Sequence, residues 1–147
     1  MDDELLLGID IGTQGVKGVL ANGRGKVIAS QSIEHKCDYL QPGWVEHNMR
    51  QNWWINPVRV IRGLLETDGV RPEQVKAIFP SELHPNFGPT DEEGEPLYGA
   101  ILYSDNRAVE ELREINIKQG LKLTSEESTP KLVWFIRHEP ELARKMR

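Results

Sequence analysis

Two short apolar runs near the N-terminus, Leu5–Ile11 and Val16–Leu20, are separated only by Gly12-Thr13-Gln14-Gly15. A short apolar run bounded by turn residues reads as a buried strand. The glycine-bounded gap has room for a turn and nothing else, so the chain must double back. Asn22-Gly23 followed by Arg24-Gly25 repeats the signal, because Asn and Gly tolerate positive φ. Lys26–Ile33 then alternates, with Val27, Ala29 and Ile33 able to share one face. Three strands joined by two short turns predict an antiparallel meander.

Helical spacing takes over downstream. Asn48 and Gln51 fit a capping pair, and Trp53, Trp54, Val58, Ile61, Leu64 and Leu65 recur at helical intervals until Asp68-Gly69. Val75–Phe79 reads as a central strand, Asp91–Gly94 as a turn and Ile101–Tyr103 as a short strand. Ala108, Leu112 and Ile115 share one face of a helix over Arg107–Gln119 that ends at Gly120. Thr129-Pro130 is a start signal for a helix over Lys131–Arg137, and Glu139-Pro140 opens a last short one. Strands first, then strands mixed with helices, predict an α/β fold: a mixed sheet with flanking helices. The 147 residues suit one domain and are too few for two ordinary ones.

Composition excludes several classes of function. Eighteen basic residues against 23 acidic give a net charge of −5, which disfavours a protein that coats nucleic acid. Cys37 is the single cysteine, so no internal disulfide or cysteine-based metal site is expected. His35, His47 and His138 have no mutual metal-ligand spacing, which argues against zinc. No apolar run approaches the roughly 20 residues that span a bilayer. Met1-Asp2-Asp3-Glu4 is acidic where a signal peptide is basic. The expectation is a cytoplasmic protein with neither membrane nor nucleic-acid partner.

The chemistry concentrates in Asp10-Ile11-Gly12-Thr13-Gln14-Gly15-Val16-Lys17. Glycines let a backbone approach a ligand and present several N–H groups to it, a concavity that suits phosphate oxygens. Thr13 adds a hydroxyl and Lys17 a positive charge. Asp10, at the end of a buried strand, can hold a magnesium ion that keeps several waters. Spacing alone leaves a second reading open, a glycine-rich hairpin with a capping Asp.

Leu7-Gly8-Ile9-Asp10-Ile11-Gly12-Thr13-Gln14 resembles the first phosphate motif of the FGGY carbohydrate kinases, especially their xylulokinase-like branch. Gln41–His47 followed by Trp53-Trp54 is similar to the "PGWVE…WW" segment of that family. Asp91–Leu97 and Ala100–Ala108 resemble its "DEDGxPL…AILYxDxRA" block, and Pro130–Phe135 resembles its first signature. Four blocks in the family's order cover most of the chain.

The resemblance implies a ribonuclease-H-like, actin-like ATPase fold of two lobes, with ATP and sugar between them. This chain would be one partial N-terminal lobe, residues 1–147. The implied reaction moves the γ-phosphoryl group of ATP to a hydroxyl of a ketose or polyol, xylulose-like, with magnesium. Asp10 would hold the magnesium through water, and Gly12, Thr13, Gln14 and Lys17 would orient phosphate oxygens. Ser81-Glu82-Leu83-His84 aligns with a sugar-contacting "GQMH" loop, which makes Glu82 and His84 candidates. Phe79–Glu82 departs from that loop's small, glycine-containing pattern. Tyr103 falls where the family places an aromatic beside the sugar, and Asp105 could accept from sugar hydroxyls, with Arg107 as its structural partner in the other reading.

The family's base is an Asp expected beyond Arg147, so no catalytic residue is assigned here. The isolated chain is expected to be inactive without the second lobe, and a homo-oligomer stays open. A truncated paralogue that binds sugar or a partner protein, and a small actin-like ATPase, are the alternatives. Trp44, Trp53, Trp54 and Trp134 are expected to anchor the core. Lys131 is expected to be a solvated helix start.

Overall fold

A computed structural model describes residues 4–147. The acidic start Met1-Asp2-Asp3, read above against a signal peptide, lies outside them. In chain order the described residues form β1 (Leu5–Gly12), β2 (Gly15–Asn22), β3 (Val27–Glu34), β4 (Asp38–Gln41) and β5 (Trp44–His47). A π-helical segment, Met49–Ile55, leads into α1 (Asn56–Leu65), and a 3-10 turn at Pro72–Gln74 leads into β6 (Val75–Glu82). Then come β7 (Ala100–Ile101), α2 (Val109–Gln119), α3 (Ser128–His138) and α4 (Pro140–Ala143). The contacts gather in two compact units. One holds the residues up to Lys36 with Gln51–Leu83, and the other holds Cys37–Arg50 with His84–Arg147.

The first unit is a mixed four-stranded sheet in the order β3-β2-β1-β6. β1, β2 and β3 form the antiparallel meander, and β6 runs parallel to β1. Leu5, Leu7 and Ile9 alternate inward along β1, as the two-residue period of a strand requires. With Val16 and Leu20 they pack on Val60 and Leu64 of α1. Each fully buried side chain of this kind contributes about 1.5–3 kcal/mol. Gly18 explains the close approach of that helix. A Cβ there would lie 2.6 Å from Val60 Cγ1 and 2.8 Å from Leu64 Cδ1.

Three expectations change in this unit. The helix read as one run from Asn48 begins with a wider π turn. Trp54 lies on that turn with 67% of its surface exposed, so it does not anchor a core. The strand expected over Val75–Phe79 continues to Glu82, because Asp10 and Ile11 go on pairing with Ser81 and Glu82. Pro80 is tolerated there because β6 has one strand neighbour, and an edge strand can do without an N–H on its open side.

The second unit has a small antiparallel sheet in the order β4-β5-β7. Gly43, with φ 82°, turns β4 into β5. Both strands were missed in the sequence because neither carries an apolar run. α2 ends at Gly120 in the left-handed conformation, φ 64°, as its glycine stop predicts. Ile101, Ala108, Trp134 and Phe135 form the core. Lys131 is not a solvated helix start: it is 1% exposed. Its ammonium donates to the carbonyls of Ser125, Glu126 and Glu127 at 2.6, 3.0 and 3.2 Å. Among the described residues no helix is long and apolar enough to cross a membrane.

Candidate functional site

Gly12 and Gly15 face each other in the β1–β2 register, which leaves Thr13-Gln14 as the turn. Neither glycine needs the left-handed region, since positive φ occurs only at Gly25, Gly43, Gly69, Gly94 and Gly120 among the described residues. The two serve different purposes. A Cβ on Gly15 would lie 2.7 Å from the Ile33 carbonyl oxygen, so Gly15 lets β3 close on the hairpin. A Cβ on Gly12 would meet nothing nearer than the Gly15 carbonyl at 3.5 Å and Asp10 Oδ2 at 3.7 Å. Gly12 therefore keeps open the space beside the Asp10 carboxylate.

Register builds a polar row next to that space. Asp10 pairs with Lys17 on one side and Ser81 on the other, and Lys17 pairs with Ser32. Cross-strand partners share a face, so Ser32, Lys17, Asp10 and Ser81 lie side by side. An open hollow of about 600 Å3 lies over this row, with Phe79 in its wall. Asp10 and Lys17 are exposed.

The donor set fits a hydrated divalent cation and phosphate oxygens: one carboxylate, one hydroxyl at Thr13, one ammonium at Lys17 and a bare Gly12 backbone. Among the described residues no group of three or more His, Cys, Asp or Glu converges. A cation at Asp10 would thus have few protein ligands and keep its water, the mode magnesium favours.

Glu82 ends β6 beside Ile11 and is exposed. His84 and Tyr103 belong to the second unit. There Phe87 and Ile101 exchange main-chain hydrogen bonds at 3.0 and 2.7 Å. The Tyr103 amide donates to Asn86 Oδ1 at 2.8 Å. The segments that carry His84 and Tyr103 therefore run side by side, with His84 exposed and Tyr103 half-buried.

Asp105 is 1% exposed. Its Oδ1 accepts from the Arg107 amide and Nε, both at 2.9 Å. Its Oδ2 accepts from the Val45 amide at 2.6 Å and from Arg107 Nη2 at 2.8 Å. A carboxylate offers about four lone-pair sites, and protein donors meet all of them. Arg107 also pairs with Glu46, Nη1 to Oε1 at 2.7 Å. Its guanidinium lies 4.0 Å from the Trp44 ring centre and 5.0 Å from that of Trp134. Burial opposes the charge of Arg107, but the bonds to Asp105 and Glu46 outweigh it and hold its pKa above the ordinary value. Burial likewise pushes the Glu46 carboxyl up, although Arg107 pulls it down. Arg107 as the structural partner of Asp105 is the arrangement present.

Residues 5–147 match the model of the FGGY family of carbohydrate kinases, N-terminal domain. The chain belongs to this family. The xylulose kinase of Escherichia coli is 33% identical over 152 residues, which cover 97% of this chain and 30% of that protein. The glycerol kinase of Thermococcus gammatolerans is 30% identical, with 97% of this chain and 30% of the relative covered. The crystal structure of xylulose kinase from Rhodospirillum rubrum superposes with a TM-score of 0.86 at 27% identity, covering 97% of this chain and 31% of that one. The chain thus spans about 30% of the length of the curated relatives it matches. The mixed α/β fold expected from the sequence is the fold these FGGY kinases share.

Sequence reasoning passed over two residues of this FGGY domain. His35 has no metal partner in the sequence, yet its ring lies 2.9 Å from the Gly12 carbonyl at the glycine-bounded turn. Glu46 was read only as part of a motif, yet it is the second carboxylate on Arg107. Neither has a local signal, because each meets its partner across a long stretch of sequence.

Proposed function

We propose that this chain is the phosphate-binding, N-terminal part of an ATP-dependent kinase that phosphorylates a ketose or polyol hydroxyl. The observation that carries the reading is the Asp10–Lys17 pair beside the open Gly12 backbone, in a chain whose family match runs from residue 5 to 147. Bound ATP and magnesium would supply the transferable phosphoryl group and neutralise charge on its oxygens. Asp10 would accept hydrogen bonds from a cation's water shell. Thr13, Gln14 and the Gly12–Gly15 backbone would donate to phosphate oxygens, while Lys17 balances their charge. Such preorganised donors act most strongly where charge develops during transfer.

His84 and Tyr103 are the proposed sugar contacts in the second unit; Glu82, at the end of β6 in the first unit, is a separate candidate that rests on the sequence resemblance alone. A neutral imidazole both donates and accepts, which suits neighbouring hydroxyls. The Tyr103 ring can pack on the C–H face of a sugar. Asp105, gripped by Arg107, would act on the sugar by stiffening the segment that carries Tyr103. Xylulose and glycerol are the substrates to try first, since the relatives bear those names. A partner lobe must supply the general base and most of the nucleotide pocket, so the 147 residues alone should not turn over.

The experiment is phosphoryl transfer from ATP to xylulose and glycerol, by the 147-residue chain and by the longest polypeptide that carries it. The longer protein should be active, and Asp10→Ala should lower kcat at least a hundredfold with the melting temperature kept. A folded Asp10→Ala protein with undiminished kcat would refute the phosphate reading. Sugar-dependent turnover by the pure 147-residue chain would refute the need for a second lobe.

A further inference from the structure

We infer that His35 is a positioning residue for the phosphate turn: it holds the Gly12 carbonyl from behind and so sets the direction of the Thr13 amide. Its functional consequence rests on the phosphate reading above; its geometry does not.

His35 follows β3 directly. Its main-chain N–H donates to the Gln14 carbonyl at 3.1 Å, which brings the side chain against the turn. Ring Nε2 lies 2.9 Å from the Gly12 carbonyl oxygen. A carbonyl can only accept, so Nε2 carries the proton. Nδ1 then offers a lone pair, and Asn56 Nδ2 donates to it at 3.4 Å. Asn56 is buried, and its Oδ1 accepts from Gln51 Nε2 at 2.8 Å. A relay thus runs from Gln51, through the first residue of α1, to His35 and Gly12. Every donor in it faces an acceptor, which selects one tautomer and one ring orientation.

Peptide planarity carries this inward. In a trans peptide the carbonyl and the following N–H point in opposite directions. Holding the Gly12 carbonyl toward His35 turns the Thr13 N–H to the opposite side of that plane. Glycine has the widest choice of backbone conformations, so the peptide after Gly12 gains most from such a hold. His35 thereby does for a backbone donor what outer-shell partners do for metal ligands.

The test compares His35→Phe and His35→Gln in the 147-residue chain. Phe keeps a ring and loses both bonds; a Gln amide can donate to Gly12 and accept from Asn56. Three quantities are read: the Thr13 amide resonance, the affinity for magnesium pyrophosphate and the melting temperature. His35→Phe should shift the resonance and weaken pyrophosphate binding about five- to tenfold, the effect of one net hydrogen bond. His35→Gln should recover most of both. An unmoved Thr13 resonance with unchanged affinity in His35→Phe overturns the inference. So does an equal loss in both variants that follows the melting temperature alone. If the unmutated chain fails to bind magnesium pyrophosphate, the turn does not hold phosphate without the partner lobe, and the Thr13 resonance still decides the role of His35. Should His35→Phe not fold, Gln51→Leu interrupts the same relay, and an unmoved Thr13 resonance there overturns the inference equally.

Discussion

Replacing Arg107 by Met should be among the most damaging single changes in the second unit. The Arg107 side chain is fully buried, with side-chain exposure of 0%. It is the counter-charge of Asp105 and Glu46, whose side chains are 0% and 9% exposed. Met fills similar volume but leaves both carboxylates facing an apolar group. Breaking a buried pair from one side typically costs about 3–5 kcal/mol, because an uncompensated charge stays behind. The lost stacking on Trp44 and Trp134 adds about 1 kcal/mol or more. We expect about 4 kcal/mol in all, after the carboxylates relax or take up protons. At a denaturant slope of about 2 kcal/mol per molar urea, the midpoint should fall by about 2 M. Trp44 and Trp134, packed edge-to-face with ring centres 5.2 Å apart, both border the guanidinium, so intrinsic fluorescence responds to its loss. Arg107→Lys should lose about half as much, since an ammonium cannot span two carboxylates as a fork does. A midpoint for Arg107→Met within about 0.5 M of the parent, or no difference between Lys and Met, would refute the reasoning.

Gly15→Ala should cost about 1–3 kcal/mol, because a methyl 2.7 Å from the Ile33 carbonyl forces β3 to move. Gly12→Ala should leave stability within about 0.5 kcal/mol yet weaken magnesium pyrophosphate binding, since its methyl makes only ordinary contacts, with the Gly15 carbonyl and Asp10, while filling the space beside that carboxylate; equal melting losses in the two variants would contradict this. Lys131→Met should cost about 2–3 kcal/mol and speed amide exchange around Ser125–Glu127, whose carbonyls lose their donor. Glu46 gives a pH test. Burial raises its folded pKa above the ordinary 4.5, so the folded chain holds that proton more tightly than the unfolded one. Its contribution to stability is full below 4.5 and is lost as pH rises through the folded value. The stability of the parent relative to Glu46→Gln should therefore decline from pH 4.5 upward, and a rise in urea midpoints over that range would be evidence against it.

The meander was legible because three local signals agree there. The apolar runs of Leu5–Ile11 and Val16–Leu20 have strand length, glycine bounds each turn, and the strands alternate inward toward one helix face. β4 and β5 were not legible. Asp38–Gln41 is exposed at every position, and Trp44–His47 owes its strand to pairing on both sides. The end of β6 failed for a related reason. Pro80-Ser81-Glu82 looks like a loop by propensity, but parallel pairing with β1 overrides propensity where partner groups are present.

The candidate sites divide along the same line. Asp10, Gly12, Thr13, Gln14 and Lys17 fall within eight residues, so one hairpin delivers them together and the phosphate reading can be raised from the sequence, although spacing alone leaves a plain glycine-rich hairpin open beside it. The Arg107 cluster is assembled from Trp44, Glu46, Asp105 and Trp134, which lie far apart in the chain. Gly99 belongs to it by absence: a Cβ there would fall 1.9 Å from Glu46 Oε2. Glycine leaves room for a buried carboxylate, that carboxylate shares an arginine with Asp105, and two indoles close over the guanidinium. A charged cluster that depends on so many separate positions has no local signature. It does explain why Asp105, an acidic residue in a sugar-kinase motif, turns inward. With Val45 and Arg107 as donors, its carboxylate is more valuable to the fold as an acceptor of protein hydrogen bonds than it would be in water.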